Sequence, residues 1–342
     1  MSWFRGGRLA RFVACFTAAS SAGQGLNVAK PIPNCSKLQY YPGYLPEDES
    51  LIRQFATETA MVNEAWIIDG FGVKTLRECV PFADSSEFNK SALQFPLPDD
   101  GFHAEGIEYV ALLDAVSNFA PSGRFCMAEL GAGWGPWLAM AGVITRRMGV
   151  QEVHLVGVEA SKARFELMQR HMAVNGLLGG SGLTCRLEQA AIWHTGEMVS
   201  FPVDDLEDLG AAATPLTMAV GSQDYRGRQT EFECVPAMTL QQLFAESETC
   251  DFLHIDVQGV EFELLASSSK WWSENVKAIL VATHSRELEG KIIRLFSDEG
   301  WLLRREKPCR FTNERLQGGS VSATYCDGAQ YWVHPSVANR IG

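Results

Sequence analysis

Four acids and one histidine stand where chemistry would need them. Glu129 ends an apolar run in MAELGAGWGPW and is followed at once by Gly131, Gly133 and Gly135. Glu159 ends a second apolar run, HLVGVEAS, 28 residues after the first of these glycines. Asp256 ends a third, DFLHIDVQG, with Gln258 and Glu261 just behind it. His284 ends a fourth, VKAILVATHS, followed by Ser285 and Arg286. A glycine turn between a buried strand and a helix lets backbone approach a ligand closely and presents helix N–H groups to it. Such a turn by itself is weak evidence, because dinucleotide enzymes use a related one and a purely structural turn would look the same.

An acid at the tip of the second strand suits both hydroxyls of a ribose, so Glu159 is the leading candidate for holding a nucleoside. Glu129 discriminates further. A carboxylate is poorly placed beside a pyrophosphate but suits a sulfonium or an α-amino group. The inferred ligand is therefore S-adenosylmethionine. An ion pair at a helix or loop end would also account for Glu129. Asp256 needs a partner or a task, since burying an unpaired carboxylate costs several kcal/mol, roughly. It would orient or deprotonate a substrate hydroxyl, unless backbone N–H groups or an arginine satisfy it. His284 has the ordinary pKa of a general base, and its alternative is a histidine bonded to the sheet end. Arg286 is a candidate clamp for an anionic substrate group, and Gln258 a second substrate contact. Asp256 and Glu261 are conceivable metal ligands, but a metal is not favoured. Glu261 also fits as a favourable first-turn acid. Trp134 and Trp137 wall the pocket or pack the core.

These residues need elements to position them. From Arg124 onward, strand-like and helix-like stretches alternate at short intervals, which argues for parallel βαβ units. Residues 196–237 interrupt the alternation with two strand-like pieces, EMVSFPV and EFECVPAM, around a Gly/Ala/Asp-rich middle. This reads as a β excursion. WLLRREKPC and AQYWVHPS close the chain as an antiparallel pair. Upstream, apolar spacing predicts helices over 47–66 and 104–118, the latter stopped by Pro121 and Gly123. The division expected is an extension or lid over 1–123, partly helical, and a nucleotide-binding domain over 124–342. His103, Glu105 and Glu108 form a polar cluster before the sheet. A lid carrying them would bring His103 or Glu105 to the cofactor or the acceptor, although an exposed helix start explains them equally.

ELGAGWG, GVEAS, DFLHIDVQGVEFELL and VATHSRELEG together resemble the FkbM-type family of class I S-adenosylmethionine-dependent methyltransferases. The resemblance runs from about Arg124 to Trp301, and the DFLHIDVQG stretch is its most specific part. It implies an α/β, Rossmann-like sheet of seven strands, the last one reversed, with helices on both faces. It implies O-methylation of saccharide or natural-product hydroxyls by in-line transfer, with His284 or Asp256 taking the proton. The glycines would shape the loop under the methionine part of the cofactor. Ala160 and Ser161 would sit by the adenine, with Ser161 alternatively a helix cap. Gln189 and Ala190 fall where this superfamily contacts adenine, or are ordinary turn residues. Two other readings remain open at this point: an NAD(P)-dependent oxidoreductase, and a non-catalytic Rossmann-like nucleotide-binding or assembly protein.

Composition bounds the rest. The chain has 342 residues, 46% hydrophobic and 20% charged, with a net charge of −12. An acidic surface repels phosphate backbones, so nucleic acid is not an expected partner; a small-molecule or saccharide acceptor is. The nine cysteines show no CxxC and no zinc spacing, which fits reduced, mostly buried thiols in a cytoplasmic protein. The N-terminus has a basic start, an apolar stretch over Phe12–Ala19 and then small residues, the order of a secretion signal. The stretch is short and interrupted, so it reads as a surface helix or lead-in. No run approaches the 18 or so apolar residues of a membrane span.

Overall fold

The computed structural model describes residues 43, 45–57, 61–62, 65–80, 106–203, 206, 210–216, 230–244, 248–311 and 324–338. The N-terminal stretch around Phe12–Ala19, together with His103 and Glu105, lies outside them. Tyr41–Gly342 forms one compact unit.

Seven strands build the central sheet: β1 (Arg124–Leu130), β2 (Glu152–Glu159), β3 (Leu183–Gln189), β4 (Cys250–Ile255), β5 (Val276–Thr283), β6 (Leu302–Lys307) and β7 (Gly328–Val333). Their order is β3-β2-β1-β4-β5-β7-β6. The first five pair in parallel, and β7 runs antiparallel to both β5 and β6. This is the mostly parallel, Rossmann-like seven-stranded sheet with one reversed strand that the resemblance implies. The order reverses between β1 and β4, which opens a crevice at the carboxyl ends of these two strands. Because β7 is reversed, its first residue lies beside the last residue of β5: Gly328 pairs with Thr283.

The inner strands are buried on both faces, as sheet strands covered by helices must be. Along β1, Phe125 and Met127 join one apolar cluster, whereas Cys126, Ala128 and Leu130 join the other. The first face is covered by α2 (Gly106–Phe119), α3 (Pro136–Arg147) and α4 (Lys162–Val174). The second is covered by α5 (Glu261–Ser267), α6 (Ser269–Asn275) and α7 (Arg286–Asp298). A further helix, α1 (Asp48–Phe55), is tied to β6 by a forked pair in which Arg305 donates to both oxygens of Asp48, at 2.6 and 2.9 Å.

Three local expectations are corrected. The helix expected over 47–66 ends at Phe55, and Trp66–Ile68 is a strand paired with Lys74–Leu76. The turn between them, Asp69 to Val73, closes because the Asp69 carboxylate accepts the N–H groups of Phe71 and Val73. An Asp-Gly pair is a turn signal, and the one at Asp69-Gly70, just past the expected helix, marks the hairpin that begins at Trp66. Second, LTCRLEQAAIW, which reads in the sequence as one strand of the alternation, is broken into two. The chain leaves β3 after Gln189, and Ala191–Ile192 pairs in parallel with Ala237–Met238 instead. Third, the two closing strands are antiparallel to each other, as expected, but the later one inserts beside β5 rather than ending the sheet. The excursion forms as read: Val199–Pro202 pairs antiparallel with Phe232–Val235. The six described cysteines with assigned burial are free, four of them buried. No described helix is long and apolar enough to cross a membrane.

Candidate active site

A cavity of about 530 Å³ opens at the crevice, a volume suited to a cofactor-sized ligand. Its first half is built by the loops after β1 and β2. Gly131, Gly133 and Gly135 all have positive φ, at 73°, 56° and 72°. A Cβ on Gly131 would lie 1.8 Å from the Asp256 carbonyl oxygen, so the turn after β1 must be bare to pass the end of β4. Gly133 has open space where its Cβ would be. It instead donates its N–H to Glu159 Oε2 at 2.6 Å. The other Glu159 oxygen accepts the Ser161 N–H at 2.7 Å. Glu159 therefore stitches the two loops together while lining the cavity.

Glu129 is 1% exposed and accepts the Leu138 N–H at 2.8 Å. It thus closes the N-terminus of α3, the helix-end role that the sequence left open, and it also lines the cavity. Burial pushes its carboxyl up to about 8, against the nearby His254 charge and the Leu138 hydrogen bond. His254 lies between two acids: Nε2 is 3.3 Å from Glu108 Oε1 and Nδ1 is 3.9 Å from Glu129 Oε1. Burial would lower its pKa, but Glu108, then Glu129 and Asp256, hold it above the usual histidine value. Trp137 stands edge-on to this imidazole, with ring centroids 6.1 Å apart.

The second half of the cavity gathers Asp256, Gln258 and His284 from β4 and β5, with Asp327 from the residue before β7. His284 Nε2 is 3.3 Å from Asp256 Oδ1, and its Nδ1 is 3.1 Å from Glu261 Oε1. Gln258 donates to Asp256 Oδ1 at 3.0 Å. Burial would raise Asp256, but the hydrogen bond and charge of His284 hold it below the usual carboxylate range. Burial would lower His284, but Glu261 and Asp256 together hold it well above the usual histidine range. The excursion supplies Phe201, Ala211 and Ala213 to the wall.

Of the residues expected at the site, Glu129, Gly131, Gly133, Glu159, Ala160, Ala190, Asp256, Gln258 and His284 line this one cavity. Trp134 and Trp137 line it too. Ser161 caps α4, accepting from Arg164 N–H at 3.2 Å. Three expected residues stand elsewhere. Gln189 is exposed at the last position of β3 and is not part of the lining. Gly135 faces α4, where a Cβ would meet Met168 at 3.0 Å. Arg286 is 55% exposed, outside the lining, with its guanidinium 3.1 Å from the nearly buried Glu289 one turn along the same helix. Asp327 was not anticipated from sequence. Its signal was the Asp-Gly pair before an apolar run, and recognising it required knowing that β7 begins at Gly328 and inserts beside β5.

Asp256, Glu261 and His284 also bring one potential metal-ligand atom each within 4.8 Å of one another. Glu261 argues against that use. Its side chain has no exposed surface, and both its oxygens already accept backbone N–H groups.

The sequence profile of the methyltransferase FkbM domain matches residues 120–301, more than half of the chain. The chain belongs to this methyltransferase family. A protein of Jannaschia sp. (strain CCS1) whose assigned name is that of a methyltransferase is 29% identical over 267 residues, covering 77% of this chain and 91% of that protein. Among solved structures, methyltransferase FkbM from Methylobacillus flagellatus is 11% identical, over 66% of this chain and 54% of that one, with a TM-score of 0.37. Precorrin-6y C5,15-methyltransferase from Geobacter metallireducens is 8% identical, over 67% of this chain and 88% of that one, with a TM-score of 0.36. Nothing in these likenesses supports the oxidoreductase alternative.

Proposed function

We propose that this FkbM-family protein transfers the methyl group of S-adenosylmethionine to a hydroxyl of a saccharide or natural-product acceptor. The observation that carries the reading is the division of the cavity. One half is a bare glycine turn joined to a strand-tip carboxylate. The other is a carboxylate–imidazole pair at the strand ends.

In this reading Gly131 and Gly133 let the cofactor lie against backbone, and Glu159 receives the ribose hydroxyls with the lone pairs its two backbone bonds leave. Ala160 and Ala190 flank the adenine. Glu129 and Glu108 surround the methionine end with negative charge, which suits a sulfonium and an ammonium. The acceptor lies between the methyl group and the Asp256–His284 pair. Its oxygen attacks in line, the carbon–sulfur bond breaks, and the electron pair stays on sulfur as S-adenosylhomocysteine leaves. The hydroxyl proton passes to Asp256. A carboxylate of low pKa suffices, because an alkylated oxonium is a far stronger acid than any carboxylic acid. The cavity loses the sulfonium charge as it gains that proton, so its acids compensate one positive charge throughout. The protein's work is alignment and exclusion of water. His103 and Glu105, Gln189, Gly135 and Arg286 have no assigned part in this scheme. Of the 1–123 region, α2 is the part that reaches the cavity in this scheme, through Glu108.

Calorimetry with S-adenosylmethionine, S-adenosylhomocysteine and NADH tests the reading, alongside Glu159→Ala. Micromolar binding of both adenosyl ligands, weakened in the variant and absent for NADH, is expected. Binding of NADH alone would overturn it.

A further inference from the structure

We propose that Glu261 is a positioning residue for methyl transfer, holding the protonated Nδ1 side of the His284 ring so that its other N–H is aimed at Asp256 and keeps it ready to take the acceptor's proton. The inference rests on the methyltransferase reading above and changes the part played by His284, from proton acceptor to fixed partner of the acceptor.

The geometry is a chain of three groups. Glu261 opens α5 with no exposed surface. Its Oε1 accepts from Val257 N at 3.2 Å and from Gly259 N at 3.1 Å, and its Oε2 accepts from Gly259 N at 2.9 Å. The β4–α5 turn thus clamps the carboxylate from behind. Its front lies 3.1 Å from His284 Nδ1, and His284 Nε2 lies 3.3 Å from Asp256 Oδ1. A carboxylate can only accept, so each ring nitrogen carries a proton toward the acid it faces, Nδ1 toward Glu261 and Nε2 toward Asp256. The Asp256 side chain, one third exposed, forms the end of the chain that meets the cavity. A buried carboxylate behind an imidazole is a general way to hold ring orientation and tautomer. The charged groups facing this imidazole are Glu261 from α5, Asp256 from the end of β4 and Asp327 from the residue before β7.

In the transfer step the bond from acceptor oxygen to methyl carbon forms and the carbon–sulfur bond breaks. The electron pair stays on sulfur and the hydroxyl proton goes to the Asp256 carboxylate. His284 keeps both its protons throughout.

Nitrogen-15 NMR of histidine-labelled protein tests this, with the His284 signals assigned by their loss in His284→Gln. In the wild-type chain both ring nitrogens of His284 are expected to be protonated at neutral pH. A neutral ring protonated only at Nε2 would overturn the proposal with no variant needed. Glu261→Gln keeps a carbonyl oxygen for the backbone N–H groups but removes the charge behind Nδ1. It is expected to leave cofactor affinity within about two-fold, to shift the His284 signals, and to lower kcat about 100-fold with little change in KM. Unchanged His284 signals in a folded Glu261→Gln protein would overturn it. So would selective broadening of the His284 signals by micromolar Mn²⁺, which would make the trio a metal site. If the wild-type chain bound no S-adenosylmethionine, the methyltransferase reading would fail, while the NMR result would still decide the link between Glu261 and His284.

Discussion

Two histidines in one cavity are each set between two acids, and they are built differently. His254 on β4 is reached by Glu108 from α2 and by Glu129 from β1, at 3.3 and 3.9 Å. His284 after β5 is reached by Asp256 and Glu261, both from the turn that follows β4, at 3.3 and 3.1 Å. The first arrangement joins three separate elements and depends on how α2 packs. The second takes both its acids from one short segment, Asp256 to Glu261, whose own N–H groups clamp one of them against the end of β5. A loop that satisfies its carboxylate from behind can present an aligned pair before any ligand arrives, and that is what a transfer step needs. A cluster that spans elements is better suited to sensing a bound charge. The proposed function therefore gives chemistry to the His284 cluster and the cofactor's positive end to the His254 cluster.

The sharpest way to break this division is to neutralise one acid in each cluster. Asp256→Asn is expected to lower kcat by about 10²- to 10⁴-fold and leave S-adenosylmethionine binding nearly intact. Glu108→Gln is expected to do the reverse, weakening cofactor binding several-fold with a kcat loss below about ten-fold. Equal kcat losses in the two variants, measured on the same acceptor, would erase the distinction. A middle-sized effect is expected at Glu159. Removing a charged acceptor of two ligand hydroxyls costs about 1.5–3 kcal/mol, or roughly 10- to 100-fold in cofactor Kd, read by calorimetry. The same substitution frees the N–H groups of Gly133 and Ser161, so a loss at the upper end is the more informative result.

The two clusters were not equally legible in the sequence. Asp256 and His284 could be named because each ends an apolar strand, and His254, two residues before Asp256, shares its face by the alternation of a strand. Glu261 was visible as a first-turn acid, but its burial was not, because a helix start is usually exposed and only the fold shows this one covered. Glu108 belonged to a recognisable polar cluster, yet its partner His254 lies 146 residues away in the chain, beyond any local pattern. Asp327 depended on where β7 inserts in the sheet. The parallel alternation, and hence the α/β sheet, was plain in the spacing of apolar runs. The hairpin over Trp66–Leu76 was not, since the helical spacing of 47–66 runs into its first residue and its Asp69-Gly70 turn lies beyond that pattern.

A pH series sharpens the comparison from the cofactor side. Glu129 has a native value of about 8 against an ordinary 4.5. Between these limits the native state holds more protons at this position than the unfolded state, so its contribution to stability is complete below the ordinary value and is lost as pH rises through about 8. The raised His254 acts in the same sense, its contribution complete below 6.5. The Tm of the ligand-free protein is therefore expected to fall between about pH 6 and pH 9, less steeply in Glu129→Gln. A bound sulfonium favours the ionised carboxylate, so S-adenosylmethionine is expected to release protons on binding, and neutral-sulfur S-adenosylhomocysteine fewer. Calorimetry in two buffers of different ionisation enthalpy reads the difference. Equal release by the two ligands would place the sulfonium away from Glu129.

The smallest effects mark the edge of the site. Arg286 opens α7 with its guanidinium 3.1 Å from Glu289, and Glu289 is itself committed to the Cys309 N–H. Replacing this arginine by alanine removes a half-exposed partner from a nearly buried acid. Such pairs contribute about 0–1 kcal/mol, so Tm is expected to shift by a few degrees at most. Cofactor Kd and transfer to a neutral acceptor are expected to change less than about two-fold. An anionic acceptor provides the discriminating arm. If Arg286 clamped a carboxylate or phosphate of the substrate, its loss would raise KM for that acceptor alone, about ten-fold or more, because a forked charge-assisted bond would be missing. With Glu289 holding the guanidinium outside the cavity lining, KM is expected to stay flat across neutral and anionic acceptors alike. That would leave acceptor recognition to Gln258, Asp327 and the wall supplied by Phe201.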